Sequence, residues 1–115
     1  MIVMSQALAL GKVISEADEY KQMKQAENNI RANEEASKLM SDYQMLQSSY
    51  QRMQMTGHQL TEEHINKLKR VEEQTIGNDL IKAFYDASAK FHQLVDEVNA
   101  KIQEGISGSA PVRRG

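Results

Sequence analysis

Along this chain apolar residues return at steps of three and four, the spacing that lines one face of an α-helix. The longest such series is Ala36, Leu39, Met40, Tyr43, Leu46, Tyr50 and Met53, one stripe about five turns long. Nearer the end, Phe84, Phe91 and Val98 stand seven apart with Ala87 and Leu94 between them, a seam at coiled-coil spacing that Ile102 and Ile106 extend. Between the two series, Ile65, Leu68 and Val71 mark an inward side, with Ile76 prolonging it.

The interruptions fit helix ends. Ser15 precedes Glu16-Ala17-Asp18, Asn33 precedes Glu34-Glu35, and Thr61 precedes Glu62-Glu63. Each sets a short oxygen-bearing cap before acids that suit the positive end of a helix dipole. Gly57 to Leu60 reads as a turn and Gly77-Asn78-Asp79 as a second break, while the one proline is Pro111. The pattern predicts an all-α chain of five helices and no sheet. They run from Ser5 to Ile14, from the Ser15 cap to Ala32, from the Asn33 cap to the Gly57 turn, from the Thr61 cap to Ile76, and from the second break to Gly105. Residues 1–106 read as a single helical domain and 107–115 as a flexible tail, because the run from Gly105 onward is small and polar. Glu27/Arg31, Glu34/Lys38, Glu63/Lys67, Asp86/Lys90 and Glu97/Lys101 place an acid four residues ahead of a base, each pair worth about 0.2–0.5 kcal/mol.

Composition turns this pattern toward association. Apolar residues are 40% and aromatics 5% of the 115 residues, too little bulky material to fill a globular middle. The expected architecture is an elongated helical bundle with two long antiparallel helices, its apolar seam shared between copies in a homodimer or larger assembly. The seam residues are Leu39, Tyr43, Leu46, Tyr50, Met53, Phe84, Phe91, Leu94 and Val98. Fourteen Lys and Arg against sixteen Asp and Glu give a net charge of -2, without the concentrated basic face that tight nucleic-acid binding requires. The chain has no cysteine, which removes disulfides and thiolate chemistry and accords with a reducing cytoplasm. The opening run Met1 to Leu10 lacks a basic start and is broken by Ser5 and Gln6, so neither a signal peptide nor a membrane span is expected.

Candidate chemistry is sparse. Three positions before His58, His64 and His92 stand Met55, Thr61 and Ala89, none of them the glutamate of a helical metal-binding turn. The doublets Glu34-Glu35, Glu62-Glu63 and Glu72-Glu73 point about 100° apart on a helix, unlike cooperating carboxylates. Gly105-Ile106-Ser107-Gly108-Ser109 misses a nucleophile elbow at its last position, and Gly11-Lys12 lacks the upstream glycine of a phosphate loop. No catalytic residue, cofactor or metal is expected. Among seven methionines, Met40 and Met53 lie on the third-helix stripe, whereas Met45 and Met55 lie off it and are the candidate partner-binding residues.

Several local runs carry a resemblance. They are Ile14-Ser15-Glu16 through Glu19-Tyr20, Asn33-Glu34-Glu35-Ala36-Ser37-Lys38-Leu39, Gln51 through Gln54 to Gly57, and Leu60-Thr61-Glu62-Glu63. Asn78-Asp79-Leu80-Ile81 follows, then Ala87, Leu94, Val98, Asn99 and Ile102. In this order and spacing, from Ala7 to Ile102, the chain resembles the YlbF/YmcA family of Gram-positive bacteria, most closely its YheA-like members. The resemblance implies an all-α, often dimeric protein without known catalytic activity. The best-studied members join a complex that steers an endoribonuclease and influences sporulation, competence and biofilm formation. Those members carry cysteines associated with an iron–sulfur cluster, and this chain departs from them by having none. The expected function is a non-catalytic regulatory or adaptor protein that associates with itself and with another protein. The alternative is a self-associating structural or chaperone-like helical protein.

Overall fold

A computed structural model describes residues 1–108 as five α-helices, with no strand among the described residues: α1 (Ile2–Ser15), α2 (Asp18–Arg31), α3 (Glu34–Met55), α4 (Glu62–Ile76) and α5 (Asp79–Ser107). Number and order are those the periodicity predicts. No helix among these residues is long and apolar enough to cross a membrane.

Most helix ends follow local chemistry visible in the sequence. Asn33 caps α3, its Oδ1 accepting the Ala36 amide at 2.9 Å. The helix stops in a Schellman motif: His58 N–H donates to the Met53 carbonyl and Gly57 N–H to that of Gln54, with Gly57 at φ 85. Thr61 Oγ1 accepts the His64 amide, and His64 Nδ1 accepts the Thr61 amide, each at 3.2 Å. This is a capping box in which histidine takes the usual place of glutamate or glutamine. Asn78 heads α5 by accepting the amides of Leu80 and Ile81.

Three ends differ from the expectation. The first helix begins at Ile2 rather than Ser5. Ser15 does not cap α2; it is the last residue of α1, and its hydroxyl turns back to the Lys12 carbonyl at 2.6 Å. Gly105 does not release the chain either. A single helical glycine disfavours the helix by only about 1 kcal/mol, and α5 runs on to Ser107 before Gly108, at φ 71, ends it. Residues 109–115, the rest of the expected tail, lie outside the described residues.

The described residues form two compact units: Lys24–Tyr85, and Met1–Met23 together with residues 86–108. In the first, Ile30, Ala36 and Ile81 are buried, with Leu39, Met40, Leu80 and Phe84 packed around them. In the same unit α3 packs against α4. The Tyr50 and His64 rings lie 5.1 Å apart, while Tyr43, earlier on α3, senses Glu72, later on α4. Rising positions on one helix therefore match falling positions on the other, which makes the pair antiparallel.

The inward side of α4 keeps Leu68 and Val71 as expected but takes His64 and Thr75 in place of Ile65 and Ile76. Ile65 and Ile76 are exposed, whereas Leu68 and Val71 are half-buried and Thr75 is fully buried. Thr75 enters the core because its hydroxyl donates to the Val71 carbonyl at 2.7 Å, removing the penalty of an unpaired polar group. The inward line is therefore His64, Leu68, Val71 and Thr75, and the neighbouring isoleucines stand about 100° round the helix from it. Of the five acid-first pairs, Glu27–Arg31 closes at 2.6 Å. Lys101 instead reaches Glu104 at 3.1 Å.

In the second unit, Leu10 of α1 lines one groove with Leu94, Val98 and Ile102 of α5. Ten positions later in the chain, the Tyr20 ring lies 5.4 Å from Phe91. From Leu10 to Tyr20 the chain thus descends as α5 ascends.

Candidate functional site

The polar side chains with chemical potential are committed locally. His58 Nδ1 lies 2.9 Å from Thr56 Oγ1, His64 completes the α4 cap, and His92 Nδ1 lies 2.7 Å from the Ser88 carbonyl. Among the described residues, no three His, Asp or Glu side chains converge. Glu34-Glu35 and Glu62-Glu63 occupy the first turns of α3 and α4, where the dipole favours negative charge. Among the described residues Tyr43 is the one perturbed titratable group: partial burial above all, then the charge of Glu72 and the nearby Tyr85, raises its phenol above the ordinary 10.0. Its oxygen accepts from Gln47 Nε2 at 2.9 Å.

The predicted seam faces inward. Tyr50 is buried, and Leu39, Tyr43, Leu46, Met53, Phe84, Phe91, Leu94 and Val98 are half-buried. These residues do not make one surface within a single unit. Phe84 packs on the Ile30–Ala36–Ile81 core, whereas Phe91, Leu94 and Val98 belong to the other unit with Tyr20 and Leu10. Met45 and Met55 stand off the stripe with 67% and 79% of their surface exposed. Ten residues apart on α3, they are separated by about 15 Å along the axis and about 80° around it, so a partner engaging both must follow the helix over nearly three turns.

The largest apolar exposure lies elsewhere. α1 has no buried residue, and Ile2, Met4, Leu8 and Val13 all face outward. The apolar pattern predicts a helix there but does not mark it as a surface. The available signal was that Lys12 is the single charge in fourteen residues, with apolar residues on more than one side.

Comparison with known proteins places this arrangement. Residues 3–107 match the family model described as control of competence regulator ComK, YlbF/YmcA. The chain belongs to the YlbF/YmcA family. A UPF0342 protein of Staphylococcus aureus strain JH9 is 32% identical over 93 residues, covering 81% of this chain and 82% of its own; its counterpart in strain Newman gives the same figures. Among solved structures, a DUF964 protein of unknown function from Bacillus stearothermophilus superposes with a TM-score of 0.77 at 16% identity, over 93% of this chain and 94% of that one. Bacillus subtilis RicA, crystallised in complex with RicF, gives 0.76 at 20% identity, over 92% and 94%. At those identities the two structures bear on the fold alone.

Proposed function

We propose that this chain is a non-catalytic regulatory or adaptor protein of the cytoplasm, working by association with another protein within an RNA-processing assembly that influences cell fate. The observation that carries this reading is that RicA, which shares the fold, was crystallised with a protein partner, RicF. Membership of a family described by control of a competence regulator supports the regulatory sense. The structure adds exposed apolar side chains on α1 and α3 suited to contact and histidines occupied by caps and main chain. RNA is read by the partner rather than by this chain, whose net charge is -2.

Titration of the purified protein with single-stranded and hairpin RNA at low and physiological salt tests this. The expected outcome is no binding below the micromolar range at either salt. Submicromolar affinity that falls steeply with salt would mean several phosphate contacts and would replace the adaptor reading with a nucleic-acid-binding one.

A further inference from the structure

We infer that His64 makes the turn between α3 and α4 sensitive to pH: the neutral ring holds the first turn of α4 closed, and protonation releases it. The inference rests on which histidine nitrogens donate and which accept. A neutral imidazole has one N–H and one lone pair, whereas an imidazolium has two N–H groups and no acceptor. The main-chain amide of Thr61 donates to His64 Nδ1 at 3.2 Å, so this nitrogen carries no proton and the N–H of the ring is at Nε2. His92 is the reverse case: its Nδ1 lies 2.7 Å from the Ser88 carbonyl, and a carbonyl oxygen accepts but never donates. His58 follows His92. Thr56 Oγ1 directs its one proton to the carbonyls of Arg52 and Met53, so across the 2.9 Å to His58 Nδ1 it accepts. Protonation therefore leaves the bonds of His58 and His92 intact and removes that of His64.

The position of His64 makes that loss structural. It is the third residue of α4, where Thr61 Oγ1 accepts the His64 amide in return, and a cation there meets the positive end of the helix dipole. The helix packed against α4 is α3. It presents the buried ring of Tyr50, 5.1 Å from that of His64, and the charge in its last turn is a second cation, Arg52. On α4 itself Lys67 follows one turn later. A half-buried ring beside Tyr50 also lacks part of the water that would stabilise a charge. Two attractions oppose protonation's effect. Glu62 and Glu63 share the first turn of α4, but both are exposed, where solvent and salt screen them. The face of Tyr50 attracts cations too, but the rings are tilted by 44°, which leaves the imidazole oblique to that face. The lost acceptor prevails. Release of this turn uncovers Tyr50, so acidification changes the surface offered at this end of the α3–α4 pair. The inference concerns this chain alone and stands apart from the proposed function.

Nitrogen-15 NMR of the imidazoles in the full wild-type chain reads the arrangement without any substitution. The neutral ring of His64 should carry its proton on Nε2, and a proton on Nδ1 would overturn the proposal. Urea unfolding at about pH 7.5 and about pH 5.5, which bracket the change of charge of histidine side chains, then compares wild type with His64→Gln and His58→Gln at one protein concentration. Glutamine keeps an acceptor for the Thr61 amide and gains no charge. Between the two pH values the unfolding constants of wild type and His58→Gln should rise roughly three- to tenfold more than that of His64→Gln, the effect of losing a helix cap. An equal rise in wild type and His64→Gln, or a response abolished by His58→Gln instead, would overturn the proposal. Should His64→Gln fail to fold, the wild-type Thr61 amide decides: its proton resonance should move in step with the titration of the His64 ring, and a resonance that stays in place would overturn the proposal.

Discussion

Replacing Ile81 by Ala probes the small core directly. Ile81 is fully buried at the start of α5, held between Ile30 and Ala36 with Leu39 and Phe84 at its edge. The substitution removes three carbon groups at about 0.8 kcal/mol each in transfer free energy. The cavity adds roughly 1 kcal/mol more, since helices anchored at both ends collapse only partly. The sum, about 3–4 kcal/mol, sits within the range for buried Ile→Ala changes. A chain of this length loses roughly 4 °C of midpoint per kcal/mol, so the melt should fall by about 12–16 °C. Urea denaturation followed at 222 nm measures the free-energy loss and a thermal melt at the same wavelength the midpoint, both at one protein concentration so that association does not shift them. Ile65→Ala on the exposed side of α4 is the control and should lie within about 0.5 kcal/mol of wild type. A loss below 1 kcal/mol for Ile81→Ala, or an equal loss for Ile65→Ala, would refute the placement of the core.

Two further outcomes are expected. Because the Tyr43 phenol is raised above 10.0, the folded state holds that proton more tightly than the unfolded state; the resulting stability is complete below pH 10 and is lost as pH rises through the folded value. Tyr43→Phe should flatten the alkaline end of a stability–pH profile, and an unchanged profile would contradict the shift. Phe91 is only half-buried against Tyr20, so Phe91→Ala should destabilise by about 2 kcal/mol rather than the 3–5 of a fully buried ring. A double-mutant cycle with Tyr20→Ala should give a coupling of about 0.5–1.5 kcal/mol; zero coupling would mean that the rings do not meet.

Where patterning and propensity agree, the fold was legible in the chain. The α3 stripe is apolar at every step from Ala36 to Met53, and no polar position competes with it. On α4 the pattern finds Leu68 and Val71 but takes Ile76 for the inward residue beside them, because Thr75 counts as polar by type and the 2.7 Å bond to the Val71 carbonyl is what admits it to the core. Ser15 was misread because a serine hydroxyl serves the preceding carbonyls as readily as the following amides; nothing local to Ser15-Glu16 decides between them. The exposure of Met45 and Met55 follows from their angle to the stripe. By contrast, the exposure of Ile2, Met4, Leu8 and Val13 on α1 depends on what packs beside that helix, which periodicity does not contain. An apolar helix looks the same in sequence whether its cover comes from its own chain or from another.

The central claim is that this protein acts through a protein partner. Quantitative affinity capture of the tagged full chain from a lysate of its own cells tests it most directly, with wild type beside the Met45→Glu/Met55→Glu variant. The account predicts one protein recovered with wild type in near-stoichiometric amount and depleted with the variant, whose helical spectrum is unchanged because both side chains are exposed. Recovery of only the chain itself, or of many proteins in small and equal amounts from both forms, would contradict it.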